Sequence, residues 1–358
     1  MVPNLSKGIV DKLKKRVVEA PELRFSEVGN VLRLHLNECL YSPPPFVVEA
    51  INRAAQQINL YPNVDMFNRL RELLARYSGV DADMAYPFPS AGDALKNLFY
   101  IFADPGDTVL LLKPTFSSIE QYATVYGLRK VFVELKECGD MWCADVDKLV
   151  ELAKTSDLVV IDDPNNPTGS PVLGGRKEVI ARLAESAKGF VVVDETYHEF
   201  CNYTAASMVR EYPNIVIVRS MSKAFCMAGA RLGYVIAHPD VVRNLAKIAI
   251  PFDTSSTALA AGIAALEHTD YFMNIVEKLK KARDRVFAEL KAMGIRVYKS
   301  YTNFLLIRDS RPLDKLFMER GVAIRRFGPD IYRISIGSEE AAEKVIQIFK
   351  ELKTSQNI

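Results

Sequence analysis

Three polar turns carry the residue types that could do chemistry, and each turn directly follows a predicted strand. The turns read DDPNNPTG from Asp162, DETY from Asp194 and RSMSKAF from Arg219. Taken singly, they have ordinary explanations as turn formers, a helix cap and a solvated surface lysine. Taken together, the three turns supply the amide of Asn166, the carboxylate of Asp194 and the amine of Lys223, and a guanidinium group follows at Arg231. Successive members of this series are 28, 29 and 8 residues apart.

The elements that must position these turns form an alternating pattern. Short apolar runs alternate with amphipathic segments, which predicts a mostly parallel sheet flanked by helices, an α/β fold. Continuous runs such as Val191-Val192-Val193 suit strands that are buried on both faces. The predicted strands are Val109–Leu112, Val131–Leu135, Leu158–Ile161, Phe190–Val193, Ile215–Val218 and Tyr234–Ala237. Ligands of such sheets bind beyond the carboxyl ends of the strands, where the three turns begin.

The C-terminal part of the chain has a different pattern. A long predicted helix is followed by short strands and a final amphipathic helix, which indicates a smaller α+β domain. The predicted strands here are Ile295–Tyr298, Phe304–Ile307, Val322–Arg326 and Ile331–Ser335. We therefore expect a large domain at residues 40–245 and a small domain at 246–358. The N-terminal segment, 1–39, is expected to join the small domain or a dimer contact.

The composition excludes several classes of protein. The 358 residues are 49% hydrophobic and 25% charged, as in ordinary globular proteins. A net charge of +2 without a basic stripe does not favour a nucleic-acid partner. The apolar run Ala258–Leu266 is too short for a membrane span, and the charged N-terminus does not fit a secretory signal.

The cysteines and histidines do not suggest a metal site. None of the five cysteines forms a CxxC pair, and no two of the four histidines lie three to five residues apart. We expect reduced thiols and therefore a cytoplasmic location.

The series PNNPTG, DETY and SMSKAF, followed after five residues by Arg231, resembles the fold-type I pyridoxal-phosphate aminotransferases. The resemblance extends from about Leu34 to Gly337. Within that superfamily the chain is most similar to histidinol-phosphate aminotransferases. The segments that favour this group are Leu36-Asn37-Glu38, Leu60-Tyr61-Pro62, Ala91-Gly92-Asp93-Ala94, Pro114-Thr115-Phe116, Gly321–Arg325 and Tyr332–Gly337.

The resemblance implies a binding site for pyridoxal 5'-phosphate. Lys223 would form a Schiff base with the cofactor aldehyde and then move the proton at the substrate Cα. Asp194 would pair with the pyridine nitrogen, and Tyr197 and Asn166 would hydrogen-bond the ring oxygen. Phe116 would stack on the ring. The phosphate would bind the backbone N–H groups of a helix start and nearby side chains, at Gly92, Asp93, Ser220, Ser222 and Arg231.

The resemblance also implies substrates and a partner. Arg333 would bind the substrate anion bidentately, assisted by Arg325, with Asn37 as a further substrate contact. Tyr61 would reach the phosphate of a neighbouring subunit, which implies a homodimer with shared active sites. The implied reaction is ping-pong amino transfer between histidinol phosphate and 2-oxoglutarate, a step of histidine biosynthesis.

Alternatives remain open on the same scaffold. An aromatic or broad-range amino-acid aminotransferase and a threonine-phosphate-type decarboxylase would use the same lysine. The chain departs from the family in two places that border the substrate. Residues 38–43 read ECLYSP where relatives often have ENPYGP, and the loop between Arg325 and Arg333 is short.

Overall fold

The computed structural model describes residues 31–201, 203–249 and 252–354. Most of the predicted N-terminal segment, residues 1–30, lies outside the described residues. The strands are β1 Leu32–Arg33, β2 Ala85–Phe88, β3 Thr108–Lys113, β4 Arg129–Glu134, β5 Lys136–Cys138, β6 Met141–Cys143, β7 Leu158–Asp162, β8 Phe190–Asp194, β9 Ile215–Ser220, β10 Gly233–Ala237, β11 Arg296–Val297, β12 Phe304–Arg308, β13 Val322–Ala323, β14 Arg325–Arg326 and β15 Ile331–Ser335. The α-helices are Pro45–Ala55, Val64–Ser78, Ala91–Phe102, Ser117–Val125, Val146–Ala153, Lys177–Ser186, Pro239–Ile248, Ser256–Glu267, Thr269–Ala292, Leu313–Met318 and Glu339–Thr354.

The large sheet has seven strands in the order β2-β10-β9-β8-β7-β3-β4. Only β10 runs against its neighbours within this sheet, so the predicted mostly parallel α/β architecture is confirmed. Strands β7, β8 and β9 are adjacent and parallel, so their carboxyl ends lie at one edge. That edge carries the turns after Asp162, Asp194 and Ser220.

Helices cover both faces of this sheet because its central strands are apolar on both sides. In β8, Val191 and Val193 belong to one hydrophobic core, and Val192 belongs to the other. Alternate residues of a strand point to opposite faces, so an all-valine run fills both cores.

A smaller antiparallel sheet, β11-β12-β15-β14, lies in the C-terminal part. It packs with the helices Thr269–Ala292 and Glu339–Thr354 around a third core. The predicted strand Val322–Arg326 is divided here. Its first part, β13, pairs with β1, and its second part, β14, pairs with β15. The chain changes hydrogen-bonding partner at Ile324, and sequence periodicity does not reveal such a change.

The helix Ser256–Glu267 packs on the core of the large sheet, although the predicted small domain begins at residue 246. Leu259, Ala261 and Ala265 are fully buried in that core. The division into 40–245 and 246–358 stays a prediction.

The prediction of reduced thiols is wrong. Cys39 and Cys226 form a disulfide with their Cα atoms 5.0 Å apart, and Cys138 and Cys143 form a second with a Cα distance of 6.1 Å. Cys201 is a buried free thiol. The first pair is 187 residues apart, so only the fold brings it together.

No helix within the described residues is long and apolar enough to cross a membrane. The same residues contain no cluster of three side chains suited to hold a metal ion.

Candidate active site

A cavity of about 780 Å³ opens at the carboxyl ends of β7, β8 and β9. Residues of the small sheet and of segment 36–38 complete its wall. Thirteen of the site residues expected from the sequence line it, namely Asn37, Gly92, Asp93, Phe116, Asn166, Asp194, Tyr197, Ser220, Ser222, Lys223, Arg231, Arg325 and Arg333. Tyr61 does not line it. That side chain is 82% exposed, with its ring 5.1 Å from the ring of Phe252.

Lys223 is half-buried on the cavity wall, in the turn after β9. Its Nζ donates to the carbonyl oxygens of Leu36 and Asn37, each at 3.0 Å. Desolvation, and then the charge of Arg333, lower the pKa of Lys223 from 10.5 to about 7. A large share of this amine is therefore uncharged near neutral pH, as a nucleophile or base requires.

Asp194, the last residue of β8, and Tyr197 line the cavity. Oδ1 of Asp194 accepts from the backbone N–H and the hydroxyl of Thr196, which fixes the carboxyl group. No donor among the described residues reaches its Oδ2. Burial raises the pKa of Asp194 to about 6. The hydroxyl of Tyr197 accepts from Nδ2 of Asn37 at 2.8 Å and keeps its own proton to donate, because burial raises its pKa to about 12.

The helix Ala91–Phe102 begins at the cavity. Its cap, Ser90, accepts from the backbone N–H of Asp93 at 2.9 Å, so that N–H is already used within the protein. A Cβ at Gly92 would lie 3.3 Å from the hydroxyl of Tyr122 and 3.7 Å from Oγ of Ser90. A side chain at this position would crowd the hydroxyls beside the helix start. The glycine keeps an open corner with N–H groups and hydroxyls, which suits an anion.

Two serines and an arginine reach the same cavity from the end of β9 and its connection to β10. Ser220 and Ser222 are buried, and Oγ of Ser220 accepts from the backbone N–H of Ser222 at 3.1 Å. Arg231 has a φ of 54°, in the left-handed region that non-glycine residues seldom adopt. Such backbone strain is found most often at functional sites, where the direction of a side chain matters.

Arg333 is the buried cation of the site. Its Nη1 donates to Oδ1 of Asn166 at 2.6 Å, and its Nη2 donates to the carbonyl oxygen of His35 at 2.7 Å. Its guanidinium carbon lies 5.3 Å from the ring centres of both Phe304 and Phe327. Burial lowers the pKa of Arg333 to about 10, so it stays charged at neutral pH.

Arg325 stands directly opposite Arg333 on the neighbouring strand. Its guanidinium carbon is 5.3 Å from the ring centre of Phe327, which therefore contacts both cations. Like charges opposite each other destabilise a sheet. Two such arginines on a cavity wall indicate a site for an anion.

Sequence reasoning missed the role of Asp162, the last residue of β7. Its carboxyl group accepts from the hydroxyl of Thr115 at 2.7 Å and from the backbone N–H groups of Phe116 and Asn166 at 3.1 and 2.9 Å. Asp162 thus positions two of the expected site residues. A signal was present, because an acidic residue ends this strand as Asp194 ends the next.

The arrangement fits a planar phosphorylated cofactor such as pyridoxal phosphate. Asp194 offers a free carboxylate oxygen, Phe116 an aromatic wall, the helix start an anion corner, and Lys223 an amine with a lowered pKa. These are the donor and acceptor types that a protonated ring nitrogen, a ring, a phosphate and an aldehyde require.

Comparisons with known proteins agree with this chemistry. The family model described as aminotransferase class I and II matches residues 29–349. Histidinol-phosphate aminotransferase of Sulfurisphaera tokodaii is 40% identical over 341 residues, which cover 95% of this chain and 96% of the relative. The protein of the same name from Thermobifida fusca is 35% identical over 347 residues, with 93% and 90% covered.

A solved structure has the same fold. The crystal structure of histidinol-phosphate aminotransferase from Sinorhizobium meliloti in complex with pyridoxal-5'-phosphate superimposes with a TM-score of 0.83 at 24% identity. It covers 98% of this chain and 100% of that chain.

Proposed function

Because this chain belongs to the family of class I and II aminotransferases, we propose that it transfers the amino group of histidinol phosphate to 2-oxoglutarate, with pyridoxal phosphate as its cofactor. One observation carries the proposal. A lysine with a lowered pKa shares one cavity with two arginines that oppose each other across adjacent strands. The amine suits transamination, and the arginine pair suits a phosphorylated donor.

Pyridoxal phosphate supplies an aldehyde that reacts with amines and a ring that accepts the electrons released at the substrate Cα. Lys223 would hold the aldehyde carbon, and Asp194 would hold the ring nitrogen in its protonated form. Asn166 and Tyr197 would hold the ring oxygen. The helix start would bind the phosphate through the backbone N–H of Gly92, together with Ser220, Ser222 and Arg231, since the N–H of Asp93 donates to Ser90.

Lys223 is also the group that can move the proton at Cα. Its pKa of about 7 leaves Nζ able to accept a proton near neutral pH and to return it afterwards.

The arginine pair supports the choice of substrate. A phosphate monoester carries between one and two negative charges at neutral pH, and a carboxylate carries one. Arg333, fixed by Asn166 and His35, offers a planar donor group, and Arg325 adds a second charge beside it. The same pair can bind the distal carboxylate of glutamate in the other half-reaction.

We also propose a homodimer with shared active sites. Exposed apolar side chains near Tyr61 support it, because Ile58, Leu60, Val64 and Phe252 are all between 44% and 63% exposed. Burying them against a second copy would bring Tyr61 to the neighbour's phosphate site. Leu60→Glu should yield monomers in light scattering. Met318→Glu, at the exposed end of the helix Leu313–Met318, should leave the dimer intact. Dimers of the Leu60 variant would contradict this interface.

The cytoplasmic location stays a prediction. The cysteines no longer support it, because four of them form disulfides.

The absorption spectrum of the purified holoenzyme tests the function. Histidinol phosphate, added without an oxo acid, should replace the visible band with one at shorter wavelength, and 2-oxoglutarate should restore it. Lys223→Ala should show neither change. If an aromatic amino acid or glutamate changes the band and histidinol phosphate does not, the proposed substrate is wrong and the enzyme class stands. Release of carbon dioxide from a phosphorylated amino acid would favour the decarboxylase.

A further inference from the structure

Two cysteines meet beside the proposed anchoring lysine. Cys39 lies two residues after Asn37, and Cys226 lies three residues after Lys223. Their Cα atoms are 5.0 Å apart and their sulfurs are bonded. Cys39 also belongs to the segment ECLYSP, one of the two places where the chain departs from the family pattern. The disulfide therefore connects a segment that departs from the family pattern to the turn that carries the lysine.

On one side of the disulfide, segment 36–40 is attached to the small sheet. The backbone N–H of Asn37 donates to Oγ of Ser335 at 2.8 Å, and that of Leu40 donates to the carbonyl oxygen of Gly337 at 2.9 Å. A Cβ at Gly337 would lie 2.8 Å from the carbonyl oxygen of Glu38, so the two backbones are in close contact. The segment is thus bound to the end of the small sheet through its backbone.

On the other side, Cys226 belongs to the turn after β9 of the large sheet. Its backbone N–H donates to the carbonyl oxygen of Lys223 at 3.2 Å. Its φ of 53° lies in the left-handed region, where glycine is free of strain and a residue with a Cβ is not. The side chain present at this strained position is the one that reaches Cys39.

The lysine itself contacts the same segment. Its Nζ donates to the carbonyl oxygens of Leu36 and Asn37. A ligand that forms an imine with this amine leaves Nζ at most one N–H, so the two hydrogen bonds cannot both remain, whereas the disulfide persists. The covalent bond therefore keeps segment 36–40 beside the lysine turn when the lysine is engaged.

We propose that Cys39 and Cys226 form a thiol–disulfide modification site whose oxidised state positions segment 36–40 against Lys223 and retains the cofactor. The proposal rests on the proposed function, because the retained ligand is the cofactor bound at Lys223. A dithiol reductant reverses the modification. One of its thiolates attacks a cysteine sulfur, breaks the S–S bond and releases the other cysteine as a thiolate. Its second thiolate then attacks the reductant sulfur of the mixed disulfide and releases the remaining cysteine thiolate. Two electrons and two protons pass to the cysteines, and the reductant leaves as its own disulfide.

The second disulfide offers a matched control. Cys138 and Cys143 are five residues apart in the hairpin of β5 and β6, and neither lines the cavity. Reduction breaks both disulfides, and the double variants Cys39→Ser/Cys226→Ser and Cys138→Ser/Cys143→Ser separate their effects. Cys226→Gly removes the thiol at a φ that glycine adopts freely, so it keeps the turn.

The first measurement is a thiol count on the denatured, unreduced protein. Of the five cysteines, Cys201 alone should react as a free thiol, and digestion should yield a peptide pair joined through residues 39 and 226. Hydrogen–deuterium exchange of the cofactor-free full chain then compares oxidised and reduced protein. Exchange should rise in peptides covering residues 36–41 and 222–227 after reduction, in Cys39→Ser/Cys226→Ser and in Cys226→Gly. It should not rise there in the hairpin variant.

The second measurement is the rate of cofactor release from the holoenzyme, followed by loss of the visible band. Release should be about fivefold or more faster after reduction, a typical size for the coupling of two sites, and reoxidation should restore the slow rate. Five reactive thiols, or equal exchange in both redox states, would overturn the proposal. A visible band with equal release rates would overturn it and leave the function intact. Absence of the band in both states, with the exchange difference present, would instead contradict the function.

Discussion

At the scale of single residues, the opposed arginines best indicate what the cavity binds. Arg325 and Arg333 repel each other across two strands, and burial lowers the pKa of both. The guanidinium carbon of Arg333 lies 5.3 Å from the ring centres of both Phe304 and Phe327. An anionic ligand relieves the repulsion, so the pair favours substrate binding at the expense of the stability of the empty site.

Arg333→Lys keeps the charge but loses the planar pair of donors. Hydrogen bonds to charged groups contribute about 1.5–3 kcal/mol each, so we expect kcat/KM for the phosphorylated donor to fall by about tenfold or more. Steady-state kinetics of the full reaction, with the concentration of the phosphorylated donor varied, measures this. The control is Arg326→Lys, because the exposed Arg326 donates to the carbonyl oxygens of its own loop. An unchanged kcat/KM in the Arg333 variant would contradict the assigned role.

Lys223→Met should change stability in a pH-dependent way. The pKa of Lys223 is about 7 in the folded chain, and its ordinary value, which applies to the unfolded chain, is 10.5. Between these two pH values the unfolded chain therefore holds a proton on this amine that the folded chain has released. The stability of the wild type therefore rises with pH across this window, and below it the cost of the enclosed charge is fully present. The cofactor-free variant should be the more stable protein below pH 7, and its advantage should shrink towards pH 10.5. Urea unfolding at several pH values measures the difference, and a constant difference would disprove the shift.

At the scale of elements, the site depends on how closely β10 approaches the helix Ala91–Phe102. A Cβ at Gly233, the first residue of β10, would lie 2.2 Å from the backbone nitrogen of Ala91 and 2.5 Å from the carbonyl carbon of Ser90. Both atoms are backbone and cannot turn aside as a side chain can. The missing side chain at Gly233 thus sets the position of the helix start that forms the anion corner.

Gly233→Ala should displace that helix start. Overpacking of this kind costs about 1–3 kcal/mol, and we expect a loss of unfolding free energy in that range together with weaker cofactor binding. Denaturant unfolding and a cofactor titration measure the two effects. Gly229→Ala is the control for stability, because nothing lies within 4 Å of its added Cβ. Equal stability of the two variants would show that the contact relaxes without cost.

At the scale of the whole molecule, the disulfides constrain the chain to very different extents. Cys39–Cys226 closes a loop between residues 187 apart, and Cys138–Cys143 closes one between residues 5 apart. The first joins the segment attached to the small sheet with a turn of the large sheet, so it restricts the unfolded chain over more than half its length.

Loss of the long-range disulfide should therefore destabilise the protein more than loss of the local one. The chain-entropy relation gives about 5 kcal/mol for the long loop and about 2 kcal/mol for the short one. Thermal unfolding of the two double serine variants should rank them in that order. The reverse order would show that strain or residual structure outweighs loop entropy.

Much of this protein follows from its sequence alone. The alternation of apolar and amphipathic segments predicted the parallel sheet, since β-strands buried on both faces must be apolar throughout. The chemistry of the three turns identified the family, because an amine, a carboxylate and an amide at the ends of successive strands have few uses other than binding one ligand. Both inferences rest on local residue types and short spacings.

Tertiary structure decided the rest. Asp162 positions Phe116 and Asn166 only because β3 and β7 are neighbours, and Arg325 opposes Arg333 only through the register of β14 and β15. The bond between Cys39 and Cys226 overturned the expected thiols for the same reason. Each of these contacts joins residues distant in sequence or depends on strand register, and no local pattern encodes which distant strands pair.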